Sequence, residues 1–206
     1  MRTVTGLLAG FWALIFVTGM ANHGYQHYRY HVSLLAADGS RLVWVTTLAI
    51  LLTALAQWVA AGIFWRVNLF VAVLLAVAGA ALVAVAAFRV PCPPRASFCT
   101  YTVDDTVSKA VHNNAVVVYA VATMSAMVVL GIISITRGHH NLVGIPGIVA
   151  SVLFALGFGG MLVWPAGLAQ RTWILIGQLW LVAAVYEAQR RRALRESTVR
   201  EKVPTS

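Results

Sequence analysis

Hydrophobic residues in this chain are grouped into long uninterrupted runs instead of alternating with polar ones. Six such runs lie between residues 4 and 187, and no Asp, Glu, Lys or Arg sits well inside any of them. A helix needs about 20 apolar residues to cross a bilayer, so runs of this kind make hydrocarbon the solvent of the protein. Hydropathy places helices at Val4 to Ala21, Val43 to Phe64, Val67 to Phe88, His112 to Ile135, Leu142 to Val163 and Leu168 to Ala188.

Inside the bilayer the backbone must satisfy its own hydrogen bonds, and continuous runs without strict alternation do so as helices. The expected fold is therefore all-α, a polytopic membrane protein with six transmembrane helices. Residues 1–188 form the bundle and residues 189–206 a basic cytoplasmic tail, which begins as a short helical extension and ends disordered. Small residues allow close helix contact along the third helix, at Ala76, Gly79, Ala80 and Ala81, and along the fifth, at Gly157, Gly159 and Gly160. Pro146 introduces a bend near one end of helix five. The turn at Ile63 to Val67 makes helices two and three an antiparallel hairpin, and Arg137 to Asn141 joins helices four and five likewise.

Composition agrees: of 206 residues, 60% are hydrophobic and only 10% charged, which leaves no room for a separate soluble domain. Basic residues orient the bundle. With the amino terminus inside, nine Lys and Arg fall on inner segments (Arg2, Arg66, Arg137, Arg190, Arg191, Arg192, Arg195, Arg200 and Lys202) and six on outer ones. That bias puts both termini in the cytoplasm and suits a multi-pass protein of the bacterial plasma membrane. Read instead as a signal peptide, with Gly19-Met20-Ala21 as its cleavage site, helix one has an apolar run too long for a signal core.

The only cysteines, Cys92 and Cys99, lie in the outer loop after helix three, where a disulfide is chemically permitted. It closes a small loop stiffened by Pro93 and Pro94, so cysteine position and charge bias point to one orientation. The net charge of +9 is concentrated at Arg190, Arg191 and Arg192, just beyond the last helix, where Arg attracts anionic lipid headgroups. No aromatic stacking platform accompanies it, so nucleic acid is not the expected partner.

His23, His27 and His31 are spaced four apart and interleaved with Tyr25, Tyr28 and Tyr30. On a continuous helix they would form one stripe with neighbours about 6 Å apart, so that no more than two of them reach one ion. A metal or haem site of His23, His27 and His112, between helices one and four, is one reading. The other has these side chains anchoring the protein at headgroup level, with no cofactor. Asp104 and Asp105 lead into helix four together with Lys109, His112 and Asn113. Acids suit a helix amino terminus, and His112 is expected to bond a neighbouring loop and not to act in catalysis, since no nucleophile motif accompanies it. The pair His139-His140 in a short inner turn reads as solvated surface. None of the six carboxylates lies mid-membrane, which discounts a proton-driven carrier. Gln57, Asn68, Thr123, Ser125 and Gln178 provide sparse material for a polar path between helices.

Tyr30-His31-Val32-Ser33-Leu34-Leu35-Ala36-Ala37-Asp38-Gly39 after helix one, and Val111-His112-Asn113-Asn114-Ala115 opening helix four, resemble bacterial six-helix proteins of the domain of unknown function 998 family, relatives of the DRAM, FRAG and SFK membrane proteins. The resemblance covers most of the chain. That family's first loop usually carries Ser-Glu-Leu or Ser-Asp; here Ser33-Leu34-Leu35 lacks the acid, and Asp38 is the nearest carboxylate. The resemblance implies a membrane protein with roles in lipid organisation or membrane stress, and a His112 that contacts the outer loops. It supplies no reaction.

The expected function is a non-enzymatic protein that binds or senses lipid, or supports a membrane-protein partner. Set against it are a metal- or haem-binding redox subunit and a passive transporter or export component.

Overall fold

In a computed structural model of the chain, residues 1–92, 97–99, 106–138, 142–161 and 163–201 are described, the side chains of 195, 196 and 198–201 excepted. They form six α-helices and one 3-10 turn: α1 Arg2–Ala21, the turn Val32–Ala36, α2 Val43–Phe64, α3 Leu69–Ala87, α4 Thr106–Thr136, α5 Ile145–Gly160 and α6 Ala166–Glu201. Five are long and apolar enough to cross a membrane, and α5 is a shorter apolar helix. Together they make a six-helix, multi-pass membrane protein.

Between a third and a half of each spanning stretch is buried inside the protein. Many of the remaining side chains are large, apolar and exposed, among them Phe16, Leu55, Phe70, Val121 and Leu179. An apolar surface of that extent is stable against lipid and not against water.

Sequence neighbours pack as neighbours in space, and α6 closes the bundle by lying against α5 and α2. At that closure Trp12 Nε1 donates to Gln178 Oε1 at 2.7 Å, and Gln178 Nε2 donates to Thr53 Oγ1 at 3.4 Å. Three helices are thereby tied inside the apolar region, so Gln178 serves helix packing. Asn68 caps α3, its side chain accepting from Val71 N at 3.0 Å. Gly79 lets the Trp58 indole approach so closely that an added Cβ would stand 2.5 Å from its Nε1. Gly157 faces Trp173 and Gly160 faces Trp164, but Gly159 meets nothing within 4 Å.

Helix two matches its expected span and the others shift. α4 begins at Thr106, so His112 lies inside the helix and not at its start. α5 is 16 residues long, about 24 Å, because Pro146 sits in its first turn and starts the helix where a bend was expected. α6 runs on past residue 188 to Glu201 without a break, so Arg190, Arg191 and Arg192 are carried on a rigid helix.

Met1 N bonds Gln189 Oε1 at 2.9 Å, and Arg191 reaches Ser134 near the end of α4. The start of α1, the α2–α3 turn, the end of α4 and the later part of α6 therefore share one face of the bundle, here the terminal face. The opposite face carries the two long loops and is the loop face.

Candidate functional site

On the loop face, residues 22–42 are built around two polar anchors. Asn22 is buried and uses its whole amide. Nδ2 donates to Thr18 O at 2.8 Å and Arg41 O at 2.9 Å, while Oδ1 accepts from Arg41 N at 2.8 Å and Ser40 Oγ at 3.1 Å. This ties the two ends of the loop together.

The second anchor is Arg171, in the second turn of α6. Its Nη1 donates to the carbonyls of His27, Tyr30 (3.0 Å) and Gly167 (3.0 Å), and its Nη2 to Tyr25 Oη at 2.8 Å. Tyr25 Oη lies 2.9 Å from His31 O and 3.1 Å from Tyr30 O, so one phenol links the guanidinium to two carbonyls. The start of α6 adds Gly167 N to Arg29 O, Leu168 N to Tyr28 O, and Gln170 Oε1 accepting from Val32 N. No carboxylate pairs with Arg171 among the described residues. Its charge is met by carbonyl dipoles, which is how this helix start clasps the loop.

The second loop is stitched on. Asp38 bridges Pro91 and Ser40 bridges Cys99 through the backbone. Arg89 pairs with Asp38 at 2.7 Å and lies over the Trp44 ring at 4.2 Å. Cys92 and Cys99 are joined by a disulfide. Phe98 packs against Tyr25 and Tyr30 at 5.3 and 4.9 Å between ring centres.

The histidine stripe that a continuous helix would give does not form. Residues 22–31 turn instead of continuing α1, and Gly24 takes φ +85°, which breaks a helix. His23 is exposed. His27 lies beside Phe16, with Nδ1 3.2 Å from Arg171 Nη2, a contact that suits an unprotonated Nδ1. His112 Nδ1 bonds Phe88 O at 2.7 Å and Val85 O at 3.2 Å, the last carbonyls of α3. Carbonyls only accept, so the proton is on Nδ1 and the histidine caps a neighbouring helix end. Among the described residues no three His, Cys, Asp or Glu side chains come together as a metal site. His31 and His112 are near enough to feel each other's charge. Burial, reinforced by the Arg171 charge, lowers the pKa of both His27 and His31. Burial raises that of Tyr25, against the pull of Arg171. Asn113 is exposed; Asp104, Asp105 and the pair His139-His140 lie outside the described residues.

Beneath the 3-10 turn a cavity of about 50 Å³ lies between His112, Tyr119, Gln170 and Trp173. It has room for a few water molecules.

The larger opening is on the terminal face, a cleft of about 620 Å³. It is lined by the apolar side chains of Val59, Ile63, Val67 and Ala188 and by four arginines, Arg66, Arg137, Arg191 and Arg192. No carboxylate lines it among the described residues. Glu187, 6% exposed, lies one helix position away and binds Arg191 Nε at 3.0 Å and Arg190 Nη1 at 3.7 Å. Arg190, expected at headgroups with its two neighbours, is outside the lining, while Arg66 and Arg137 join from two other elements. Their shared face was legible from the charge count, since each sits in a short turn on the inner side. Their convergence was not. Arg171, Tyr25 and Asn22 gave no signal of comparable strength, because their partners are mostly backbone atoms of distant residues.

No curated protein and no solved structure matches the chain. A family model described as a protein of unknown function, DUF998, matches residues 7–186, from within α1 to within α6. The loop-face cap, the His112 bond to the end of α3 and the six-helix bundle accordingly describe a member of the DUF998 family, to which this chain belongs.

Proposed function

We propose that this protein is a non-enzymatic lipid-binding component of the bacterial plasma membrane, holding anionic lipid in the cleft between the α2–α3 turn, the end of α4 and α6. The terminal face is read as cytoplasmic, the side on which anionic headgroups attract basic residues. The observation that carries this reading is the cleft itself, lined together by apolar side chains and arginines on otherwise apolar helices. A soluble anion gains nothing from Val59, Ile63 and Val67; a phospholipid uses both parts. The loop-face cap serves to hold α6 in register with α1 and α2, so that Arg191 meets Arg66 and Arg137 across the cleft.

The test is the lipid that remains bound after mild detergent extraction, compared with the bulk membrane. Enrichment of anionic phospholipid that disappears in the double variant Arg66→Gln and Arg137→Gln supports the reading. Bound lipid of bulk composition in both proteins contradicts it.

A further inference from the structure

The charge arrangement of the cleft says more than that it favours anions. Arg191 is offset by the Glu187 carboxylate at 3.0 Å. Arg192 has an interaction of its own. Arg66 and Arg137 come from different elements, one from the α2–α3 turn and one from just beyond α4, and neither pairs with a carboxylate among the described residues. Two unbalanced guanidinium groups thus face a cleft whose third wall, α6, adds a compensated arginine and the amide of Gln189. Guanidinium is the side chain best shaped for two parallel hydrogen bonds to a phosphate, and each such group can hold one phosphate by itself.

The volume agrees with the charge. About 620 Å³ is the size of a pocket for a whole small ligand, and a single phosphate would leave most of it empty. The helices that carry the apolar lining also expose apolar side chains, Leu55 on α2 and Phe70 on α3, so an acyl chain leaving the cleft along them meets apolar surface.

We propose that the cleft selects lipids whose headgroup carries two phosphate charges over lipids that carry one. This rests on the reading of the cleft as a lipid site and adds a class of lipid to it. Arg66 and Arg137 each take one phosphate, Arg191 and Gln189 donate from the α6 side, and the acyl chains lie along Val59, Ile63 and Val67.

The experiment is a native mass spectrometry titration of the full chain in detergent with three probes: phosphatidylglycerol, cardiolipin and inorganic pyrophosphate. The expected result is at least about tenfold tighter binding of cardiolipin than of phosphatidylglycerol at equal phosphate concentration. In a variant with Arg66→Gln and Arg137→Gln that preference falls to near one, while the melting temperature stays the same because both side chains are exposed. Equal affinity per phosphate for both lipids, or a preference that survives in the variant, overturns the two-phosphate selection and leaves the lipid site standing. Pyrophosphate that displaces cardiolipin at equal concentration overturns the lipid as the source of the diphosphate. Binding of none of the three overturns both the selection and the lipid site.

Discussion

Arg171 Nη2 lies 2.8 Å from the Tyr25 hydroxyl, across 146 positions of sequence, and through this contact α6 holds the loop that follows α1. The guanidinium makes further bonds to three carbonyls, so its fork is used on both sides. Lysine at this position keeps the charge and loses the fork. Arg171→Lys is expected to lower stability by roughly 1.5–3 kcal/mol, the range for hydrogen bonds to a charged group. Amide hydrogen exchange should rise across residues 22–42 with helix content unchanged; unchanged exchange there would mean that the loop is held by something else.

The same arginine adds to a pH dependence that burial sets. His27 and His31 have pKa values below the ordinary 6.5, first through burial and second through Arg171. The unfolded chain therefore takes up protons before the folded one does. Stability is complete above about pH 6.5 and is lost as pH falls through the lowered folded values. Thermal unfolding at pH 7.5 and pH 5 checks this. Arg171→Gln should flatten the profile in part, since it removes the second cause of the lowered pKa values and leaves burial in place.

How much of this could be read beforehand depends on sequence separation. The α2 span Val43–Phe64 was visible because a hydropathy run ends where the helix ends. The α4 start was missed by a turn and a half, since Thr106, Val107, Ser108 and Lys109 are helical without forming an apolar run. The histidine stripe failed because four-residue spacing speaks for a helix only where the backbone continues one, and Gly24 does not. His112 was foreseen as a structural contact to a neighbouring loop; its partners, the carbonyls of Val85 and Phe88, could not be, because any residue supplies a carbonyl.

His112 therefore makes a prediction about metal as well. His112→Ala leaves the carbonyls of Val85 and Phe88 without their donor in a buried place and should cost about 1–3 kcal/mol. His112→Asn, whose amide can donate to the same carbonyls, should restore part of it. Metal content should be equally low in all three proteins by elemental analysis. A stoichiometric metal lost in the alanine variant would revive the redox reading.

The disulfide tests orientation. Cys92 and Cys99 are seven positions apart, and a loop of that length gives roughly 2.5 kcal/mol of chain-entropy stabilisation. After reduction, a membrane-impermeant maleimide added to intact cells should label Cys99, the more accessible of the two thiols, if the loop face lies outside as proposed. Labelling only after the cells are opened would invert the topology and move the arginine cleft to the outer leaflet.

The most direct test of the lipid site is a distance between the arginines and lipid phosphorus. Protein labelled with ¹⁵N-arginine, in bilayers containing cardiolipin, is examined by solid-state dipolar recoupling between ¹⁵N and ³¹P. Charge-assisted hydrogen bonding to phosphate places guanidinium nitrogens roughly 4 Å from phosphorus. The lipid reading predicts strong dephasing of guanidinium signals that is lost when Arg66 and Arg137 are both replaced by Gln. Dephasing that is identical in the two proteins would show that no lipid phosphate sits in the cleft.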